Sequence, residues 1–96
     1  MGSAVGEFWD ASALRVSVET TGLQGGDAGH GGMAEVEIRF LTGDSFEMTD
    51  GETAQKVVLK VAGDSEIATL AAALEWAGSQ LKQLSGAHTV PVQPPS

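Results

Sequence analysis

The sequence predicts an α+β domain: a four-stranded antiparallel meander with one C-terminal helix packed on one face, a two-layer ββββα arrangement. Three observations lead there. Two runs alternate apolar and polar residues with the period of a half-buried strand. An Asp-Gly pair separates two further strand-like runs, and the last third of the chain carries a leucine and alanine stripe at helical spacing.

Residues 1–10 read as an arm ahead of the domain. Within it Phe8 and Trp9 could extend the first strand, close the open end of the core or belong to a partner site; packing on the core or its edge is the preferred reading. The first strand runs from Ala13 to Thr20, with Leu14, Val16 and Val18 on one face and Arg15, Ser17 and Glu19 on the other. The second alternates Ala34, Val36, Ile38 and Phe40 against Glu35, Glu37 and Arg39.

Asp50-Gly51 lies between Ser45–Thr49 and Glu52–Ala62 and suits a two-residue type I′ turn, which would pair Thr49 with Glu52, Met48 with Thr53 and Phe46 with Gln55. Phe46 and Met48 then share a face with Val57, Leu59 and Val61. A three-residue loop, Thr42-Gly43-Asp44, pairs Phe40 with Phe46 and keeps both on the apolar side, so the strands follow one another in chain order.

Asp64 is placed to cap a helix over Ser65 to Leu84, with Glu66 in its first turn and Gly86 as its stop. Ile67, Leu70, Ala71, Leu74, Ala77, Leu81 and Leu84 form the stripe expected to cover the sheet. Trp76 falls opposite that stripe, beside Ala72, Ala73, Thr69, Gln80 and Gln83. Trp76, Ala72, Ala73 and Gln80 are therefore the candidate self-association surface, unless Trp76 folds over the tail or onto Phe8 and Trp9. The domain spans residues 11–86, and residues 87–96, which hold all three prolines, read as an extended tail able to dock on a neighbour.

The chain has 96 residues, enough for one small domain that oligomerisation would help. It has no cysteine, which excludes disulfides, thiolate metal sites and a thiol nucleophile. A net charge of −8 argues against nucleic acid or an anionic membrane as partner. No apolar run is long enough to cross a bilayer, and Met1–Gly6 lacks the features of a signal peptide, so a cytoplasmic location is expected.

The densest candidate site is the segment from Gly22 to Gly32, in which Gly25, Gly26, Asp27, Gly29, His30, Gly31 and Gly32 are the candidate ligand-binding residues. Three chemistries are open to it. The glycine amides could form a nest for an anion such as a phosphate, although no Gly-Lys-Ser/Thr ending follows. Asp27 and His30 could ligate a metal with a third ligand such as Glu19, but two ligands are too few for a closed site, so no metal and no cofactor are expected. His30 could act as a base oriented by Asp27, yet no nucleophile or oxyanion site accompanies it, and no catalytic residue is assigned. The plainest reading is a hairpin loop held together by Asp27 and His30.

Val18–Gly32, followed by Gly63-Asp64-Ser65-Glu66-Ile67 and a leucine-rich helix, resembles small uncharacterised proteins encoded by phages and prophages. That resemblance implies an origin and no reaction, and it favours a protein that blocks or sequesters a host component over an enzyme. The expectation is a small non-enzymatic interaction protein acting through the glycine-rich loop as a homo-oligomer, with a host protein or small ligand as partner. The alternatives are a metal- or nucleotide-dependent protein using Asp27 and His30, and a purely structural assembly protein.

Overall fold

The computed structural model describes residues 2–26, 31–88 and 90–93. Strands β1 (Gly2–Trp9), β2 (Ala13–Thr20) and β3 (Met33–Phe40) are followed by β4 (Phe46–Glu47), β5 (Thr53–Ala54) and β6 (Lys56–Ala62). Helix α1 (Asp64–Ser85) and the short β7 (Val92–Gln93) complete the chain. The architecture is α+β, with an antiparallel five-stranded sheet in the order β6-β3-β2-β1-β7 and a separate ribbon, β4-β5.

The two alternating runs form β2 and β3 and pair along their length, Val16 with Ile38 and Val18 with Val36. The rest of the topology departs from a four-stranded meander. Residues expected as an arm form β1, which pairs with all of β2 from Gly2↔Thr20 to Trp9↔Ala13. The backbone reason is that β2 would otherwise be an open edge, with unpaired N–H and C=O groups along its length. Part of the tail then adds to β1 as β7, with Phe8 opposite Val92, and His88 Nε2 lies 2.9 Å from Asp10 Oδ2. Val92 and Gln93 of the tail therefore dock on the chain's own sheet.

The run expected as one strand from Glu52 to Ala62 divides at Gln55. Its first part pairs with β4 in the ribbon, and its second pairs with β3, Leu59 opposite Val36. At the Asp50-Gly51 turn the loop has three residues rather than two. Met48 accepts from the Gly51 N–H at 3.0 Å and donates its own N–H to the Glu52 carbonyl at 2.7 Å, with positive φ at Gly51 (87°). The extra residue moves Phe46 from Gln55 to Ala54. Phe46 still reaches Phe40, ring centroids 4.5 Å apart, although the two are not ladder partners. Phe40 donates instead to the Gln55 carbonyl at 2.9 Å. In the intervening loop Asp44 accepts from Thr42 and Ser12 hydroxyls, both at 2.7 Å, which ties it to the β1–β2 turn and holds the Asp44 carboxyl below its usual range.

Helix α1 begins and ends within a residue of expectation, and Gly86 closes it in the left-handed region (φ 72°) with its N–H on the Lys82 carbonyl. Its packing is different. No residue of α1 is buried, and half-burial is confined to Asp64, Glu66, Ile67 and Leu70, then Gly78 and Gln80 further along. Only the start of the helix leans on β6 and β3, so the second layer is partial. Among the described residues the buried apolar core is Ala13 and Val36 alone. Leu14, Val16, Val18, Ile38, Val57 and Leu59, the intended core face, are each half-buried.

A chain lacking residues 1–9 tests the role of β1 directly. We expect loss of the cooperative thermal transition, because β2 loses its partner strand; a truncated chain melting within about 5 °C of the full chain would show that β1 is dispensable.

Candidate functional site

The described part of the glycine segment closes around one side chain, Asp64. Its Oδ1 accepts backbone N–H bonds from Gln24 (2.8 Å) and Gly32 (3.0 Å), and its Oδ2 accepts from Gly25 (2.7 Å). The Gly26 amide adds to the same cradle. Hydrogen bonds from Gln24 and Gly32, then Gly25 and Gly26, favour the charged form and hold the Asp64 carboxyl below the usual aspartate range. The clamp works in both directions. Asp64 N–H donates to the Gly26 carbonyl and Gly63 N–H to the Gly32 carbonyl, each at 2.6 Å.

This corrects the expected capping. The helix N-cap is Gly63 (φ 118°), without a side-chain cap bond, and Asp64 is already inside the first turn. Its carboxylate is spent on the glycine loop instead of on its own helix amides. The described amides that reach a carboxylate here, those of Gln24, Gly25, Gly26 and Gly32, hold an anion that belongs to the chain itself.

Glycine is required here for space as well as for φ. A Cβ on Gly32 would run into the Gly22 carbonyl oxygen, and one on Gly31 (φ 90°) into the Gly26 backbone. Threonines close the neck of the loop: the Thr21 N–H donates to the Met33 carbonyl at 3.0 Å, Thr21 Oγ1 accepts from the Met33 N–H at 2.9 Å, and Thr20 Oγ1 accepts from the Gly22 N–H at 3.0 Å. Asp27, Gly29 and His30 lie outside the described residues, and of the proposed ligand-binding set Gly25, Gly26, Gly31 and Gly32 are placed in the clamp. Leu23 stands outward from it, exposed.

Beside the loop neck, a shallow depression of about 240 Å³ is lined by Glu19, Thr20, Thr21, Met33, Glu35 and Lys60, among others. Glu19 and Glu35 are directly opposed across β2 and β3, and Lys60 Nζ sits 3.3 Å from Glu35. Among the described residues no group of three or more His, Asp or Glu side chains could hold a metal ion.

A second polar cluster lies on the opposite half of the sheet's charged face and was not singled out from the sequence. Glu7, 3 % exposed, accepts from Arg15 Nη2 (2.7 Å) and Nε (3.0 Å) and from Trp9 Nε1 (3.1 Å). The Arg15 contact, seconded by Trp9, holds its carboxyl below the usual range. Arg15, Arg39 and Lys56 are successive partners across β2, β3 and β6, and Glu7 offsets that row of positive charge. Its i, i+2 relation to Trp9 was visible in sequence; its pairing with Arg15 needed β1 to be a strand.

On the helix, Trp76 (67 % exposed), Ala72 and Ala73 face solvent and Gln80 is half-buried. Trp76 is exposed, as its position opposite the stripe predicts, but so are Leu81 and Leu84 of the stripe meant to be covered. No helix among the described residues is long and apolar enough to cross a membrane.

Comparison of the chain with protein-family models, with curated proteins and with solved structures finds no match. The likeness of the glycine segment to phage-encoded proteins gains no support from them.

Two substitutions test the clamp. Gly32→Ala is expected to lower unfolding free energy by about 3 kcal/mol or more in urea titration, since the Gly22 carbonyl cannot move without opening the neck. For Asp64→Asn, we expect a lower melting temperature at neutral pH. Because the folded pKa lies below the ordinary 3.8, the stabilisation is present above 3.8 and is lost as pH falls through the folded value. The gap between wild type and Asp64→Asn should therefore be flat near neutrality and close in acid; a gap that stays constant down to pH about 2 would remove the charge from the account.

Proposed function

We propose that this chain is a small non-enzymatic interaction protein that acts by binding, as a homo-oligomer, and that a host protein or a small ligand is what the assembly engages. The observation that carries this reading is a helix of 22 residues with no buried residue, joined to a sheet whose apolar face is only half covered. Surface of that kind is left open by proteins that complete themselves against another chain.

The glycine loop has a structural job in this reading. It grips Asp64 and sets the direction in which α1 leaves the sheet, while its outer side, at Leu23, remains available for contact. Anion binding by the loop's inner amides is disfavoured because Asp64 already occupies them, which weighs against a nucleotide-dependent alternative. The same arrangement suits a purely structural assembly protein, and the two differ in whether a further partner is held.

Association is measurable without knowing that partner. Sedimentation equilibrium should give a mass above the 9.8 kDa of one chain, and the melting temperature should rise with protein concentration, as mass action requires for a folded oligomer that unfolds to monomers. A concentration-independent melting temperature for a species of one chain's mass would refute self-association.

A further inference from the structure

We propose that two copies of this chain pair through antiparallel α1 helices along a seam of Leu74, Ala77, Leu81 and Leu84. The inference rests on the self-associating reading and assigns its contact surface to the leucine stripe in place of the Trp76 face expected from the sequence.

The spacing of the stripe is the first support. Ile67, Leu70, Leu74, Ala77, Leu81 and Leu84 alternate three- and four-residue steps, the a and d positions of three heptads. Ile67 and Leu70 are half-buried against the chain's own sheet end, whereas Leu74, Leu81 and Leu84 stand 39, 68 and 84 % exposed. The first third of the seam is occupied, and the rest has no partner within the chain. Residues flanking the open part, Ala73, Gly78, Gln80 and Ser85, are small or uncharged, and a Cβ at Gly78 would meet nothing within 4 Å. A second helix can approach closely there.

Surface area leaves room for a folded partner. Compact monomers of 9.8 kDa expose about 5,200 Å², and this chain exposes 6651 Å². The excess, roughly 1,500 Å² over the whole chain and of which the seam is one part, is of the size that each subunit hides in an obligate homodimer, about 1,000–2,500 Å².

Charge selects a second copy and its orientation. From Ile67 to Ser85 the helix carries only Glu75 and Lys82, so this segment is neutral on a chain of net charge −8. Two such faces meet without repulsion, whereas a basic partner would be drawn to the acidic remainder. Running the helices antiparallel sends the two acidic bodies to opposite ends and opposes the helix dipoles. Centred on Ser79, that arrangement sets Leu74 against Leu84 of the second copy and Ala77 against its Leu81, large side chains facing small ones in the central layers.

The test uses the full chain. Wild type is expected to sediment as a dimer, and the double variant Leu81→Asp/Leu84→Asp as a monomer with its strand circular dichroism retained, since both leucines are already exposed in their own chain. Because the protein has no cysteine, orientation can be read by crosslinking. Oxidised Ala77→Cys/Leu81→Cys should give a covalent dimer on a non-reducing gel, and Ala77→Cys alone should not. A monomeric wild type overturns the self-association reading and this inference together. An oligomer that survives Leu81→Asp/Leu84→Asp overturns the seam alone and leaves self-association standing. A covalent dimer from Ala77→Cys alone, or none from the double cysteine variant, overturns the antiparallel register.

Discussion

One carboxylate organises this molecule. Asp64 collects backbone amides from Gln24, Gly25 and Gly32, residues that lie between two paired strands, and does so from the first turn of the helix. Backbone donors in a loop need partners wherever water is displaced, and a charged acceptor is a strong one. The loop is thereby given a shape by something outside itself, and the helix is given a direction by the loop. Glycines at 31 and 32 are the steric condition for this, since a side chain at either would meet backbone.

Fixing the helix at its first turn has a cost in burial. The chain passes from β6 through Gly63 into α1 with Gly63 and Asp64 both bonded to the loop, so the first turn of α1 is tied to the loop at that joint. Its apolar side then meets the sheet only near Ile67 and Leu70. What remains is a domain with two buried apolar residues among those described and a long amphipathic helix beside a half-covered sheet. Small domains are hard to stabilise from their own core alone. The proposed pairing of two chains would cover part of the apolar surface that this arrangement leaves exposed.

The charged side of the sheet obeys a different economy. Arg15 faces Arg39 and Arg39 faces Lys56, an unfavourable row unless countered. Glu7 on the neighbouring strand counters it from a buried position, also bonded by Trp9 Nε1, and Lys56 reaches Glu37 diagonally at 3.7 Å. The N-terminal segment is thus bound to the sheet by an ion pair as well as by its ladder.

Sequence by itself determined the local elements. The period-two runs of β2 and β3, the helix ending at Gly86 and the outward position of Trp76 were legible because each depends on neighbours a few residues apart. The glycine segment was legible as unusual for the same reason, although Asp27, Gly29 and His30 fall outside the described residues. Tertiary structure alone decided the rest. Residues 2–9 carry weak alternation, with glycine at 2 and 6, and become a strand because β2 offers an edge. The run through Gln55 reads as continuous, yet β3 and β4 compete for it and divide it. The anion for the glycine nest lies some forty positions away, with Asp64 as a cap equally good by every local rule. Whether a stripe at helical spacing lies on its own sheet depends on the angle of one joint, which no periodicity encodes. Local patterns report which face a residue shares; only long-range hydrogen bonds and packing settle what that face meets.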